Sequence, residues 1–579
     1  MTASRGRVNV PVHRSARPPV LLADLLPFAL WTVVAVLATL PAVHAGTTAS
    51  LANRGSRLKY ELGFFGMVLL GLLACRYAVL VYPYELNIDE CQFIAQALGY
   101  HHDLMPFTQD GHTCGPLNYY VLMWPAYLGL PVTYFTIRLT GFVLVLMTLF
   151  YARRTIALIA GNRVSYLIAL PLISFYFFAY QPGFVHFSSE TFPEALLAFC
   201  LWQIAKYWRL DRANFFLLGA ILGATPFTKL QAAPMAVFLF AVAAGLLLRE
   251  GSRRTPPTWK KRLALLFIGG AVVPLVLAVP LLATGTLGDA FYRYITVNAV
   301  YGAQLWIPDP HSFGYVLYEF AHNGPQFTIY SFGQLAISAV ALGALWFFRE
   351  KKPSAFWVTG LVLIMVLLAL GFWAVVKPRQ AYCHYLLLLP VLVALVPAWI
   401  ARGWIEFCRA AWSSRFERFL PAVFIVVSLF SLPLYVFEQH ALPYLSAPAT
   451  TEYVPVTSYI QSVTQRGDTI ANWGYTPEYY VLTQLPPGVR DYSTLFEIFA
   501  DPQYDYFRQG FLDDLKRNRP KVIVDSVGEH YLPTWIHPLE KARMTAWPPL
   551  ADYLAAAYQP PVEITPAPDQ PPVLVYVRR

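Results

Sequence analysis

Charge is scarce in this chain. Asp, Glu, Lys and Arg make up 13% of its 579 residues, against about 25% in a soluble domain, and that deficit excludes the soluble globular class. Cysteine is scarce too, with six residues, too few for a disulfide scaffold. There is no Cys-x-x-Cys pair, no His-Glu-x-x-His and no Walker loop. Those absences argue against a nucleotide-driven pump, and no metal site can be read by spacing. No internal repeat is evident, as a secondary transporter would show.

What is abundant is apolar: 57% of residues are hydrophobic and 16% aromatic. The chain reads as an α-helical polytopic membrane protein. A net charge of +10 would point to nucleic acid in a soluble protein. Here Lys and Arg cluster in short loops between apolar runs, which the positive-inside rule explains, so no nucleic-acid partner is expected.

Residues 1–59 form a basic segment with one apolar run, Leu25–Ala45. Val43-His44-Ala45 resembles a signal-peptidase site, but the long basic lead favours an uncleaved helix. Eleven further runs follow: Leu62–Val81, Val132–Tyr151, Val164–Tyr180, Thr191–Tyr207, Phe215–Thr228, Gln231–Leu248, Leu263–Ala283, Thr328–Phe348, Phe356–Val376, Tyr385–Ile400 and Phe419–Phe437. Cations at Arg153-Arg154, Lys206 to Arg212, Arg249 to Arg262 and Arg349 to Lys352 alternate with them as inside loops. Eleven to twelve spans result. The N-terminal run breaks parity, so either Met1 starts outside or that run does not cross. Leu117–Leu130 is shorter than the ~20 residues a span needs and reads as an interfacial helix, and Thr284–Gln326 as a long aromatic outer loop.

The membrane domain, 60–437, thus places the loop 82–131 outside, in the cytoplasmic membrane of a cell with an envelope. From Glu438 to Arg579 no run is long enough to cross. Thr469–Trp473 and Lys521–Asp525 read as strands, and Phe507–Arg517 as an amphipathic helix between them. This is a small α/β domain on the outer side.

The polar centre of the first outer loop is Tyr84-Glu85-Leu86-Asn87-Ile88-Asp89-Glu90-Cys91-Gln92. Acids at a membrane edge are functional candidates. Asp89 with Gln92 three residues later also fits a capping box opening a helix, and spacing does not separate the two readings. His186, Glu190 and Glu194 belong to the same face, as do Lys229 and the run Lys377 to Tyr385 with Arg379 and His384. Lys229 fits a side chain snorkelling to headgroups or an anion partner; Arg379 with His384, in one short loop, favours an anion. Cys91 and Cys114 share the outer loop and leave both a bridge and two free thiols open.

These residues in this order resemble a family. An apolar span, Asp89-Glu90 in the first outer loop, Gly115-Pro116-Leu117, Thr136-Ile137-Arg138-Leu139, Gly223-Ala224-Thr225-Pro226-Phe227-Thr228-Lys229 and His384-Tyr385-Leu386-Leu387-Leu388-Leu389-Pro390 are similar to the GT-C glycosyltransferases, in the branch of protein O-mannosyltransferases and aminoarabinose–lipid A transferases. The resemblance covers about Leu62 to Phe437. Cys91 after the acidic pair and the extra N-terminal run depart from it. It implies transfer of one sugar from a polyprenyl phosphate to an acceptor hydroxyl on a glycan, lipid or protein. Asp89 would be the base, and Glu90 would orient the loop or touch sugar or acceptor. Lys229 and Arg379 would meet the lipid phosphate, with His112, Arg138, Glu190, His384 and Tyr385 as further substrate contacts. No cofactor is firm, though Glu190 with Asp89 leaves room for a divalent cation. A polysaccharide ligase or polymerase using Arg379 and His384, a transporter, and a subunit presenting the terminal domain are the rival classes.

Overall fold

The computed structural model describes residues 22–43, 54–103, 114–251, 258–303, 312–408, 419, 422–429, 453–498, 504–527, 541–566 and 571–579. The expected apolar runs fall on helices: α1 Leu22–Val43, α2 Arg54–Val81, then α3 Ile88–His102 in the first outer loop, followed by α4 Tyr134–Ala160, α5 Asn162–Phe178, α6 Thr191–Leu210, α7 Phe215–Ala224, α8 Ala233–Gly251, α9 Thr258–Ala283, α10 Pro325–Phe348, α11 Ala355–Val376 and α12 Pro390–Phe407. Among the described residues seven helices are long and apolar enough to cross a membrane, and Leu26–Ala42, Asn162–Phe178 and Phe215–Phe227 are shorter apolar helices. Helix α6 has the length but carries Glu194, Lys206 and Arg209. Of the last expected span only 419 and 422–429 are described, as helix. This is a multi-pass membrane protein.

A helix that is apolar all round belongs inside a bundle, and two of these are. Every residue of α5 from Val164 onward is buried, and the apolar window of Cys383–Phe407 is 94% buried. Helix α10, by contrast, turns Phe332, Val340 and Phe347 outward, toward lipid. The additional N-terminal helix joins the bundle: Trp31 Nε1 on α1 donates to Ser174 Oγ on α5 at 2.8 Å. Helices α7 and α9 meet backbone to backbone, since a Cβ on Gly219 would lie 2.1 Å from the carbonyl oxygen of Leu266. Small residues permit such approaches in membranes.

Two local expectations change. Leu117–Leu130 is two short helices, Pro116–Tyr120 and Trp124–Tyr127, because Pro125 has no N–H to continue the first. The loop Thr284–Gln326 contains helices Leu287–Phe291, Val297–Ala303 and Phe313–Asn323, with a π-helical turn at Tyr292–Thr296.

The terminal domain is a four-stranded sheet in the order β1-β2-β4-β3, with β1 Ile470–Trp473, β2 Val522–Asp525, β3 Val562–Ile564 and β4 Val573–Val577. Strands β1 and β2 are parallel, in the register Ile470 to Val522, so a crossover must join them. The helix Tyr504–Asn518 lies in that connection. Both predicted strands and the helix between them are present, while β3 and β4, which pair antiparallel with each other and with β2, were not foreseen. Trp473, Phe511, Leu515 and Ile523 make its core.

Candidate active site

Helix α3 begins at Asn87, whose side chain accepts from the Asp89 N–H at 3.0 Å. Asn87 is therefore the cap, and the capping-box reading of Asp89 and Gln92 is replaced. Asp89 and Glu90 lie in the first turn, where the helix dipole favours carboxylates. One residue apart on a helix, they point about 100° from each other, and they meet different fates.

Glu90 turns inward and is fully buried. Arg138 on α4, equally buried, binds it with two bonds, Nε to Oε1 and Nη2 to Oε2, both at 2.6 Å. The same guanidinium donates to the carbonyls of Val79, Tyr82 and Tyr84, and Glu90 accepts from the Leu86 N–H at 2.8 Å. Such bidentate, fully satisfied pairs are the geometry that compensates the cost of burying charge. The pair ties the end of α2 to α3 and α4. Both side chains spend their polar atoms on each other and on loop backbone, the arrangement of a loop-orienting pair.

Asp89 faces the other way, with its side chain 30% exposed and Oδ2 3.9 Å from Nε2 of the buried His384. The His384 ring lies parallel to Tyr382 at 5.6 Å and 6.5 Å from the His186 ring. Lys229, reached through the turn Thr225–Phe227, is buried rather than snorkelling. Its Nζ lies 3.0 Å from Glu190 Oε1 and 2.7 Å from Ser189 Oγ, and 5.0 Å from the centre of the Tyr385 ring. Burial alone would push the Glu190 carboxyl up, but Lys229, His384 and the hydrogen bonds from Lys229 and Ser189 outweigh it and hold it below its ordinary value.

Asn118, which the sequence offered no reason to single out, clamps three segments here. Its Nδ2 donates to the carbonyls of Ser189 and Thr228 at 3.1 and 2.8 Å. Gly115 closes the same joint: its N–H donates to the Thr228 carbonyl at 3.0 Å, and a Cβ there would sit 2.0 Å from the Phe227 oxygen. The expected residues Asp89, Glu190, Lys229, His384 and Tyr385 are thus gathered from four segments. Arg379 stands apart. It is exposed, in a left-handed conformation at φ 52°, whereas the ion pairs of that cluster run from Lys229 to Glu190 and from His384 to Asp89. His112 lies outside the described residues.

The terminal domain grips α3 on its remaining side. The Cys91 thiol lies 2.8 Å from Glu85 Oε2 and 2.7 Å from Oε2 of Glu478, and the Tyr134 hydroxyl donates to Glu478. Burial pushes the Glu478 carboxyl above its ordinary value, more than the hydrogen bonds from Cys91 and Tyr134 lower it. Burial likewise pushes the Cys91 thiol well up, with Glu478 and Glu85 adding to it. Glu85, Cys91 and Glu478 bring their ligand atoms within 4.8 Å of one another, and protons shared among them suit these raised affinities. Beside them Gln92 donates to the Tyr475 hydroxyl at 2.6 Å and accepts from Tyr492 at 2.9 Å. Cys91 and Cys114 are not joined by a disulfide.

No protein-family model matches the chain, and no curated protein matches it. In fold it is similar to ArnT from Cupriavidus metallidurans bound to undecaprenyl phosphate, with a TM-score of 0.52 at 13% identity, over 89% of this chain and 98% of that one. The apo state of the same protein aligns with a TM-score of 0.49 at 13% identity, over 90% and 98% of the two chains. An oligosaccharyltransferase from Archaeoglobus fulgidus, in complex with Zn and sulfate, gives 0.44 at 11% identity, over 89% of this chain and 73% of that one.

Proposed function

We propose, on the premise that this chain has the GT-C fold, that it is a glycosyltransferase moving a single sugar from a polyprenyl phosphate to an acceptor hydroxyl at the outer face of the cytoplasmic membrane. The observation that carries this reading is the divergence of two adjacent carboxylates. Glu90 is consumed by Arg138, while Asp89 stays open beside buried His384.

Asp89 takes the proton of the acceptor hydroxyl, whose oxygen then forms a bond to the anomeric carbon. The bond from that carbon to the carrier phosphate breaks, and the electron pair leaves on the phosphate. A cation near developing charge lowers such a barrier, and Lys229 is assigned that task, with Glu190 keeping its ammonium charged and in place. His384 positions Asp89. Glu90 and Arg138 hold the loop, and the terminal domain, seated on α3 through Glu478, Tyr475 and Tyr492, orients the acceptor. Because Lys229 already neutralises Glu190, a divalent ion bound by Glu190 and Asp89 would have to displace it, so transfer is expected to persist in chelator.

The test offers the purified protein a panel of polyprenyl-phosphate sugars with a hydroxyl acceptor and measures release of free lipid phosphate. Release with any donor supports the reading; none across the panel, from protein that melts cooperatively, refutes it.

A further inference from the structure

At the end of the bundle away from Asp89 the chain builds a second polar cavity that sugar transfer does not use. Arg154 is sixteen residues along α4 from Arg138, and Lys206 sixteen from Glu190 along α6. Both therefore lie ~24 Å from the site end at the helical rise of ~1.5 Å per residue. There a cavity of about 320 Å³, open at its mouth, is lined by Arg57 from α2, Arg154 from α4, Lys206 and Arg209 from α6, and by Asn162 and Trp202. Among the described residues no carboxylate is part of that lining.

The acids around it are already engaged: Asp211, next to Leu210 of the lining, pairs with Arg262 at 2.6 Å, and Glu406 with Arg402 at 3.4 Å. Glu61 takes two bonds from Arg154, at 2.9 and 2.8 Å, and another from Arg153. One carboxylate cannot offset these two arginines together with Arg57, Lys206 and Arg209. Helix α5 adds to the imbalance. It starts at Asn162 on the cavity wall, behind Gly161, with no side-chain cap on its first N–H groups, and those groups and the dipole favour an anion. The positive-inside rule places cations on one side of a membrane, but it does not collect them from three helices into one concave site.

We propose that this cavity binds the phosphate headgroup of an anionic glycerophospholipid of the leaflet at that end. Apolar groups belong to the same lining: Ala157, Leu158 and the exposed Leu210, where acyl chains can lie. The Trp202 ring, 4.9 Å from Lys206 Nζ, joins the polar and apolar parts. A soluble anion would use the cations and leave that apolar margin bare. Basic pockets between membrane helices are a known form of lipid-headgroup recognition, and planar guanidinium groups suit phosphate oxygens.

The experiment uses the delipidated full chain in mild detergent, with phosphatidylglycerol, phosphatidylcholine of the same acyl chains, and inorganic phosphate as probes. Thermal unfolding and native mass spectrometry are the readouts. Phosphatidylglycerol is expected to raise the melting temperature and stay bound as a discrete adduct, with both effects falling as salt rises. Phosphatidylcholine and inorganic phosphate should do neither. The triple variant Arg57→Gln, Lys206→Gln, Arg209→Gln should bind phosphatidylglycerol about tenfold or more weakly, a loss of ~1.4 kcal/mol, with its lipid-free melting unchanged. If the triple variant does not fold, Lys206→Gln alone is read for a partial loss. Equal effects of phosphatidylcholine, an equal shift from inorganic phosphate, or undiminished phosphatidylglycerol binding in the variant would each overturn the proposal.

Discussion

Two acidic clusters flank α3, and they are held in opposite ways. Toward the bundle, Glu190 is buried as an anion because Lys229 lies 3.0 Å away, and its carboxyl sits below its ordinary value. Toward the terminal domain, Glu478, Glu85 and the Cys91 thiol are packed together, and burial raises both Glu478 and Cys91. The first cluster is held by charge and the second by protons. A fixed charge is what a leaving phosphate needs; a proton-held seam is suited to docking one domain on another. Between them Glu90 with Arg138 is saturated, and Asp89 stays partly exposed beside His384.

The largest effect should come from Asp89→Asn, which removes a base but not a cap, since Asn87 fills that role. Transfer should fall by about 10²–10⁴-fold with the melting temperature unchanged, measured on purified protein. Retained activity would dissolve the distinction drawn between Asp89 and its neighbours. Next is Arg138→Met, which leaves Glu90 buried and unpaired. Removing one partner of a buried pair costs about 3–5 kcal/mol, so expression and melting temperature should drop sharply, and a stable, active variant would show that Glu90 is not a brace.

Lys229→Ala sharpens the contrast from the other side. Losing a charge-assisted contact to phosphate costs about 1.5–3 kcal/mol, a tenfold or greater loss in transfer efficiency with varied donor. Arg379→Ala, at an exposed position, should change it less. Equal donor kinetics in both variants would place the carrier phosphate elsewhere.

The smallest effect tests the seam. Glu478 is raised on folding, so its contribution to docking is fully present below the ordinary carboxyl range and is lost as pH rises through its raised value. Glu190 is lowered, so the Lys229 pair holds above that range and weakens as pH falls through the lowered value. Hydrogen exchange in Glu478–Thr483 should therefore quicken as pH is raised, after correction for intrinsic exchange, and Glu478→Gln should flatten that trend without changing the fate of Lys229. The same trend in Glu478→Gln would mean that protons on Glu478 do not hold the seam.

The amino-acid sequence by itself determined the class, the helices and the side chains worth watching. Apolar runs of span length need no partner to declare themselves, because a helix satisfies its own backbone in lipid. The alternating and β-branched pieces Thr469–Trp473 and Lys521–Asp525 were legible for the same local reason, whereas three-residue β3 was too short to show a period. What only the tertiary structure decided is which charge meets which. Glu90 finds Arg138 across 48 residues, Lys229 finds Ser189 across 40, and Cys91 finds Glu478 across 387. Helical periodicity says that Asp89 and Glu90 diverge, but not which of them turns inward. That choice follows from where α4 presents a buried guanidinium, and no local pattern around residue 89 encodes the position of Arg138.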